Sequence, residues 1–525
     1  MRLGFVASSS ATLVECRMKQ YESKKNCNVI KRRRILFHNG RVALGTLFSR
    51  NKDALSLRCS STPDSDTSRV AAQTQESHSF IWSSAVSVKT DLTEALADVI
   101  ARAISKFPKE RTVDAAILFV SSRYTSKRLG ILSRGDLEAM IPQLRGIIPS
   151  LQVIVGCTSS GVIGHDVRGE PEEVEGAPAV GILLASLPQV QLIPFLIHAN
   201  QIPDLDSGPD RWLELINQGN RSGVSPEEVK AMILLSEPQF YERGHLQTLL
   251  QGLDFVYPQC TKIGSVACGR SVNEKVQLIY STLDMENVCI HEQQSVVGIA
   301  LAGKLRMEAV TIPSYRPIGP SLFIRKCDKQ CIYELSQSSS VFGSVEKMLQ
   351  LVWDRLDPKD KELARGGEGG NVYIGLYQSS DTDSDSWKNY VIRKIEEPLD
   401  MNGSLRTCET VYVGQRVGFF VRDREFSLQQ AAHLFESFKR KQLTSNIQGS
   451  GPFASAGIGF LSHTKGMEFY KEPNYESTLF HSFMNVPLVG MFGGKEIAPN
   501  DLGDETLVHE YTSVFGIVQE GTMDS

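Results

Sequence analysis

A mixed α/β fold, with helices covering sheets of both parallel and antiparallel strands in two lobes, is what this sequence predicts. Three observations lead there. A β-α-β-(glycine turn)-β unit recurs three times, amphipathic stretches carry helix-capping signals, and 41% of the 525 residues are apolar against 22% charged. That balance excludes a wholly disordered chain, and the length suggests two to four domains.

The first strand of each unit is apolar and ends in serine: Ala116 to Ser121, Met232 to Ser236 and Ile458 to Ser462. An amphipathic stretch follows, then a proline, then a second apolar strand running to Gly156, Gly264 or Gly490. Ser236 to Gly264 and Ser462 to Gly490 are both 28 residues, whereas Ser121 to Gly156 is 35, with Thr125 to Leu132 as the excess. The glycines read as the openings of small-residue turns. Third strands return near Val180, Val297 and Val514. A helical crossover makes the first two strands parallel, and the short return makes the third antiparallel. The lobes are placed at about residues 80–312 and 313–520.

Local signals fill in the elements. Asp91 with Glu94 opens a helix toward Ser105, Ser344 opens another that Pro358 stops, and Ser427 with Gln430 forms a capping box. Loops are expected at Gly366 to Gly370, Ser379 to Ser386 and Thr444 to Gly451. Cys327 and Cys331 read as thiols facing each other across a hairpin turn, without the spacing of a zinc clamp.

Residues 1–62 hold thirteen Lys/Arg and three acids, so the remainder carries a charge of −14. A basic, Ser-containing, acid-poor leader reads as a transit peptide, and Leu57 to Ser60 suggests the chloroplast, most simply the stroma. Residues 63–78 read as a linker. An acidic body excludes a general nucleic-acid partner, and no apolar run reaches the 18 residues of a transmembrane segment.

Ligands in sheets with helical crossovers settle outside the carboxyl ends of strands. The repeat places Ser121, Ser122, Arg123, Ser236, Glu237, Ser462 and His463 at such ends, and Gly156, Cys157, Thr158, Ser159, Gly264 and Gly493 in the glycine turns. Glu496 is a polar candidate just beyond, and Arg123 with Arg393 could fork an acidic group. Cys157 suggests a nucleophile with His165 or His463 as base, set against a buried inert thiol. No Walker loop or G-x-G-x-x-G occurs, so no catalytic residue, cofactor or metal is assigned.

Leu151 to Gly164, Val486 to Pro499 and Val508 to Val518, supported by Tyr315 to Pro320 and Val417 to Asp423, resemble the FIST proteins with their FIST N and FIST C domains. The resemblance spans about residues 80 to 520. It implies a sensory module binding small ligands such as amino acids, in eukaryotes sometimes joined to an F-box; residues 63–78 carry no F-box pattern. Relatives carry a Cys-x-x-Arg-Gly turn where this chain has Ser462-His-Thr-Lys465-Gly466. Lys495, Ala498 and Glu510 depart from the family pattern as well. The expected function is a chloroplast sensory protein that binds a small polar metabolite, an amino acid or organic acid, and signals by ligand-dependent conformational change. A protein-interaction scaffold, a ubiquitin-ligase-type adaptor lacking an F-box, and a Cys-nucleophile enzyme are the alternatives.

Overall fold

The computed structural model describes residues 79–521, except 125–131, 218–222, 270–275, 284–288, 292–293, 367–371, 379–388, 396–402, 448–452, 501–502 and 504. The transit peptide and linker readings, the loop at 379–386 and most of the excess segment after Ser121 therefore lie outside the described residues. Mixed α/β architecture is what the chain adopts.

The three repeats are real. Counted along each repeat from the opening strand given below, the second strand runs parallel to the third: Ala115–Ser121 with Val153–Ser159, Val229–Ser236 with Thr261–Val266, and Ala454–Ser462 with Leu488–Gly493. The strands Val180–Ser186, Ser295–Gly303 and Thr512–Glu520 return antiparallel on the other side of the second strand. An opening strand completes each set: Ile81–Ser87, Val190–His198 or Leu305–Pro313. Helices connect as the crossover rule requires: Leu92–Ile104 and Arg134–Ile147, Pro209–Asn217 and His245–Val256, Arg424–Ile447 and Tyr475–Met484.

Strand exchange locks the repeats together. After its third strand, each repeat leaves its own sheet and adds a hairpin to another. Gly161–His165 pairs with Leu488–Gly493, Lys495–Pro499 pairs with Thr261–Val266, and Leu278–Thr282 pairs with Val153–Ser159. The cycle closes, giving three equivalent six-stranded sheets. Their inner faces share one apolar cluster that includes Phe119, Cys157, Ile233, Ile263, Phe460 and Met491. Each outer face has its own cluster under its helices, with Leu96 and Leu144, Trp212 and Leu249, or Phe435 and Phe480. Two of the three sheets thus recruit strands from both sides of residue 312.

The glycines that read as turn openers sit inside strands. Gly156, Gly264 and Gly490 hold one equivalent position, opposite Leu118, Leu234 and Gly459 on one side and Ile279, Ile497 and Ile163 on the other. A Cβ at Gly156 or Gly264 would lie 1.9 Å from the carbonyl oxygen of the facing leucine, and at Gly490 it would lie 2.4 Å from that of Gly459. Close backbone approach, not a turn, demands glycine there. The same register shifts one alignment: Ser121 and Ser462 face Ser159 and Gly493, three residues past the glycine, but Ser236 faces Val266, only two past it. Glu237 therefore takes the place equivalent to Ser121.

Between the opening strand and first helix of the third repeat, residues 314–423 form an insertion with a seven-stranded sheet of its own. Helices Val345–Arg355 and Pro358–Arg365 cover one face through Ile324, Leu335, Met348 and Phe419. Ser344 and Asp91 cap their helices as expected, accepting from Lys347 N and from Thr93 and Glu94 N. Ser427 does not. Its helix begins at Arg424, with Asp423 accepting from Phe426 N at 3.1 Å, while the Ser427 hydroxyl lies 3.0 Å from Tyr470 OH. That helix also runs to Ile447, through the start of the loop expected at Thr444. Cys331 faces Asp328 and Cys327 faces Ile332, so the two thiols are not opposed, and both are free.

Candidate functional site

The candidates of the first two repeats are engaged in holding the fold. Ser121 Oγ donates to Ala177 O at 2.9 Å and accepts from Arg123 N at 3.2 Å, leaving the Arg123 side chain exposed and Ser122 buried beside it. Thr158 Oγ1 accepts from Gln277 N at 2.9 Å, and Ser159 Oγ donates to Gly161 O at 2.8 Å. Ser236 Oγ donates to Glu237 O, and the Glu237 carboxylate caps the helix Pro238–Glu242 through Gln239 N and Phe240 N and also accepts from Gln294 N. Cys157 is fully buried, with its sulfur 3.4 Å from Met491 Sδ, and burial pushes the thiol pKa well up. His165 packs edge-on against His481, 5.6 Å away. Nothing there generates a thiolate.

The three corners do meet, but against one another. Gly494 N donates to Val266 O at 2.8 Å, Ser160 Oγ donates to Phe492 O at 3.0 Å, and Cys268 Sγ lies 3.4 Å from both Ser160 Oγ and Phe492 O. A Cβ on Gly493 would lie 1.8 Å from Ser265 Oγ. Contacts within the protein thus occupy the space at these glycine corners. Arg123 is exposed at its strand end, whereas Arg393 is buried in the insertion against Glu409 and Glu510, and the two share no partner among the described contacts.

The remaining candidates converge elsewhere, on a seam between the second repeat, the third repeat and the insertion. Lys495, the first residue of its exchanged strand, pairs with Glu510 and places Nζ 4.9 Å from the ring centre of Tyr241 in the second repeat. Arg393, 3% exposed on the insertion strand Tyr390–Lys394, holds Glu409 at 2.8 Å and Glu510 at 3.9 Å. Burial works against the Arg393 charge, yet Tyr241, Glu510 and Glu409 outweigh it and keep the guanidinium pKa raised. His463 N donates to Gly493 O at 2.8 Å, and its Nδ1 lies 3.1 Å from the same oxygen. Ser462 Oγ lies 3.1 Å from Thr464 Oγ1. Arg422 donates to Thr464 O at 2.9 Å and lies over the rings of Phe469 and Tyr511, at 4.6 and 5.4 Å.

Behind this row the ionisable groups are buried outright. Glu496 Oε2 accepts from Thr512 N and Oγ1 at 3.3 and 2.9 Å, while Oε1 has no partner. Burial raises its pKa to about 8 against the opposing pull of Thr512, Lys465 and Lys495, so the group is a neutral acid near pH 7. Lys465, also fully buried, bonds Glu476 at 3.0 Å and Ile312 O at 3.0 Å, and Tyr470 and Ser513 donate to the same Glu476 carboxylate.

Lys465, Lys495 and Glu510, three positions that depart from the pattern resembled, thus belong to one polar seam, although none was nominated as a site residue. Tyr241, Glu409, Arg422 and Thr512 were missed altogether. Comparison between repeats carries a signal for Glu496, because the register makes it equivalent to Val162 and Leu278, both core residues. Among the described residues, no group of three or more His, Cys, Asp or Glu could hold a metal ion, and no helix is long and apolar enough to cross a membrane. No curated protein matches the chain. Residues 114–338, from the edge of the second strand of the first repeat into the insertion, match the FIST N domain, so the chain carries a FIST N domain.

Proposed function

We propose that this protein is a chloroplast sensor of a small polar metabolite, an amino acid or an organic acid, which binds at the seam and shifts the insertion against the three-repeat body. The family supports the coarse reading, since FIST domains form a small-ligand sensory family. The observation that carries the finer one is the Arg393–Glu510–Lys495 network, in which charges of both signs from two parts of the fold meet with Lys495 still a quarter exposed. A ligand carboxylate competes with Glu510 for Lys495 and Arg393; a ligand ammonium competes with Lys495 for Glu510. Either exchange loosens the link between insertion and body. Tyr241 and Tyr511 supply aromatic walls beside it.

The test is thermal denaturation of the protein against amino acids and organic acids at millimolar concentration. A true ligand at about 100 times its Kd stabilises by about 2.7 kcal/mol, and Lys495→Met removes that shift. If no metabolite moves the transition, the sensor reading fails. Import is tested separately: residues 1–62 fused to a reporter are expected to carry it into isolated chloroplasts and be removed there, and a reporter left outside overturns the location alone.

A further inference from the structure

A second opening in the fold has chemistry unlike the seam. Between the strand Leu305–Pro313 and the helix Arg424–Ile447 lies a cavity of about 290 Å³. Val310, Leu434 and Phe438 and the rings of Tyr315, Tyr390 and His509 form the apolar and aromatic part of its lining, and Thr311 and Asn500 add polar groups. Burial, with the Arg393 charge nearby, lowers the His509 pKa to about 4, so the imidazole lining this wall is neutral. The mouth is different. There Lys441, an exposed helix residue, donates to both carboxylate oxygens of Glu308 at 2.9 Å, with Ser437 one turn earlier on the same helix face. The strand Leu305–Pro313 is the edge of its sheet, so main-chain groups on its outer side are not taken by a neighbouring strand.

We propose that this cavity is a second ligand site, for a small aromatic carboxylic acid whose ring occupies the apolar interior and whose carboxylate takes the place of Glu308 on Lys441. Size supports the class. A cavity of about 150 Å³ accepts benzene, so roughly twice that volume suits a phenyl ring with a short acidic chain. Charge permits it, since Lys441 at the mouth can exchange the Glu308 carboxylate for that of a ligand, while the neutral His509 leaves the ring's surroundings uncharged. His509 directly precedes Glu510 of the seam, so occupancy here bears on a segment the seam also uses.

The experiment uses the full chain and measures binding of benzoate, phenylacetate and 3-phenylpropionate by calorimetry and thermal shift, with phenethylamine as the cationic match. At least one acid is expected to bind and raise the transition temperature, and phenethylamine is not. Lys441→Gln is expected to weaken the acid about tenfold, and Ser437→Trp, a change at an exposed helix position that covers the mouth, to abolish binding with the unliganded transition unchanged. Lys495→Met at the seam leaves acid binding intact. The proposal is overturned if none of the three acids binds, if binding survives Ser437→Trp and Lys441→Gln undiminished, or if Lys495→Met rather than Ser437→Trp removes it. The last outcome would move the acid to the seam and leave the sensor reading standing.

Discussion

Replacing Gly264 by alanine tests the geometry on which the three-repeat body depends. The added Cβ would stand 1.9 Å from Leu234 O and 2.8 Å from Leu234 C. Both atoms are backbone, so no side chain can swing aside. Ordinary contact begins near 3.4 Å, so one strand must move by about 1.5 Å. Thr261–Val266 is held by Val229–Ser236 on one side and Lys495–Pro499 on the other, and its neighbours line the central core. Overpacking of flexible cores costs typically 1–3 kcal/mol; a clash between two backbones at the centre of a sheet should exceed the top of that range. Gly146→Ala is the control. It lies in the helix Arg134–Ile147 with nothing within 4 Å of an added Cβ, and should stabilise by up to about 1 kcal/mol through helix propensity. Urea and thermal denaturation of both variants decide the matter. If Gly264→Ala lies within 1 kcal/mol of the parent chain, the close approach is not what the position requires.

Other expectations follow from the same contacts. Glu476→Gln leaves Lys465 as a buried charge without its anion, and should cost about 3–5 kcal/mol by denaturation; Ser482→Ala on the same helix, an exposed position, should change little. Asp423→Ala removes both the cap on Phe426 N and the 2.8 Å partner of Arg316, for a loss of about 1–3 kcal/mol. Under native conditions, alkylation followed by peptide mapping should modify exposed Cys408 well before Cys157. Rapid modification of Cys157 would reopen the nucleophile reading.

Much of the fold was legible because its signals are local. Apolar strands, prolines and glycines at matching intervals identify the unit, and the helical crossover makes two of its strands parallel. The exchange of hairpins was not legible. Periodicity marks a strand's faces, but it does not say which sheet receives Gly161–His165 or Lys495–Pro499. The glycines were misread because a tight turn and a close backbone contact both select glycine, and only the register separates them. Ser427 was misread because Asp423, which also binds Arg316, competes for the same helix start. Arg393, His463 and Glu496 were visible as polar residues among strands. Their joint position was not, because Arg393 arrives from an insertion 70 residues upstream of His463.

Internal symmetry turns Glu496 into a pointed case. Val162 and Leu278 occupy the equivalent places in the other two exchanged strands, so the architecture is satisfied by an apolar side chain there. A buried carboxyl with one oxygen unpartnered costs stability relative to such a side chain, and it lies beside the one repeat that carries an insertion. The cost has a pH signature. In the unfolded chain Glu496 ionises near its ordinary 4.5, whereas in the fold it keeps its proton to about 8. Its favourable contribution is complete below 4.5 and is lost as pH rises toward 8, at ~1.4 kcal/mol per pH unit for one proton. Glu173, raised by burial to about 7, acts in the same direction. His165 and His509, lowered to about 4 by burial, act in the opposite direction, but only below their unfolded value of 6.5. Between pH 6.5 and 8 the buried carboxyls are therefore unopposed by these histidines, and stability should fall. Glu496→Gln should flatten that fall, because glutamine has no proton to lose. A denaturation series from pH 6 to 8.5 in which parent and Glu496→Gln keep the same slope would show that Glu496 is ionised in the fold, and would remove the neutral acid from the seam.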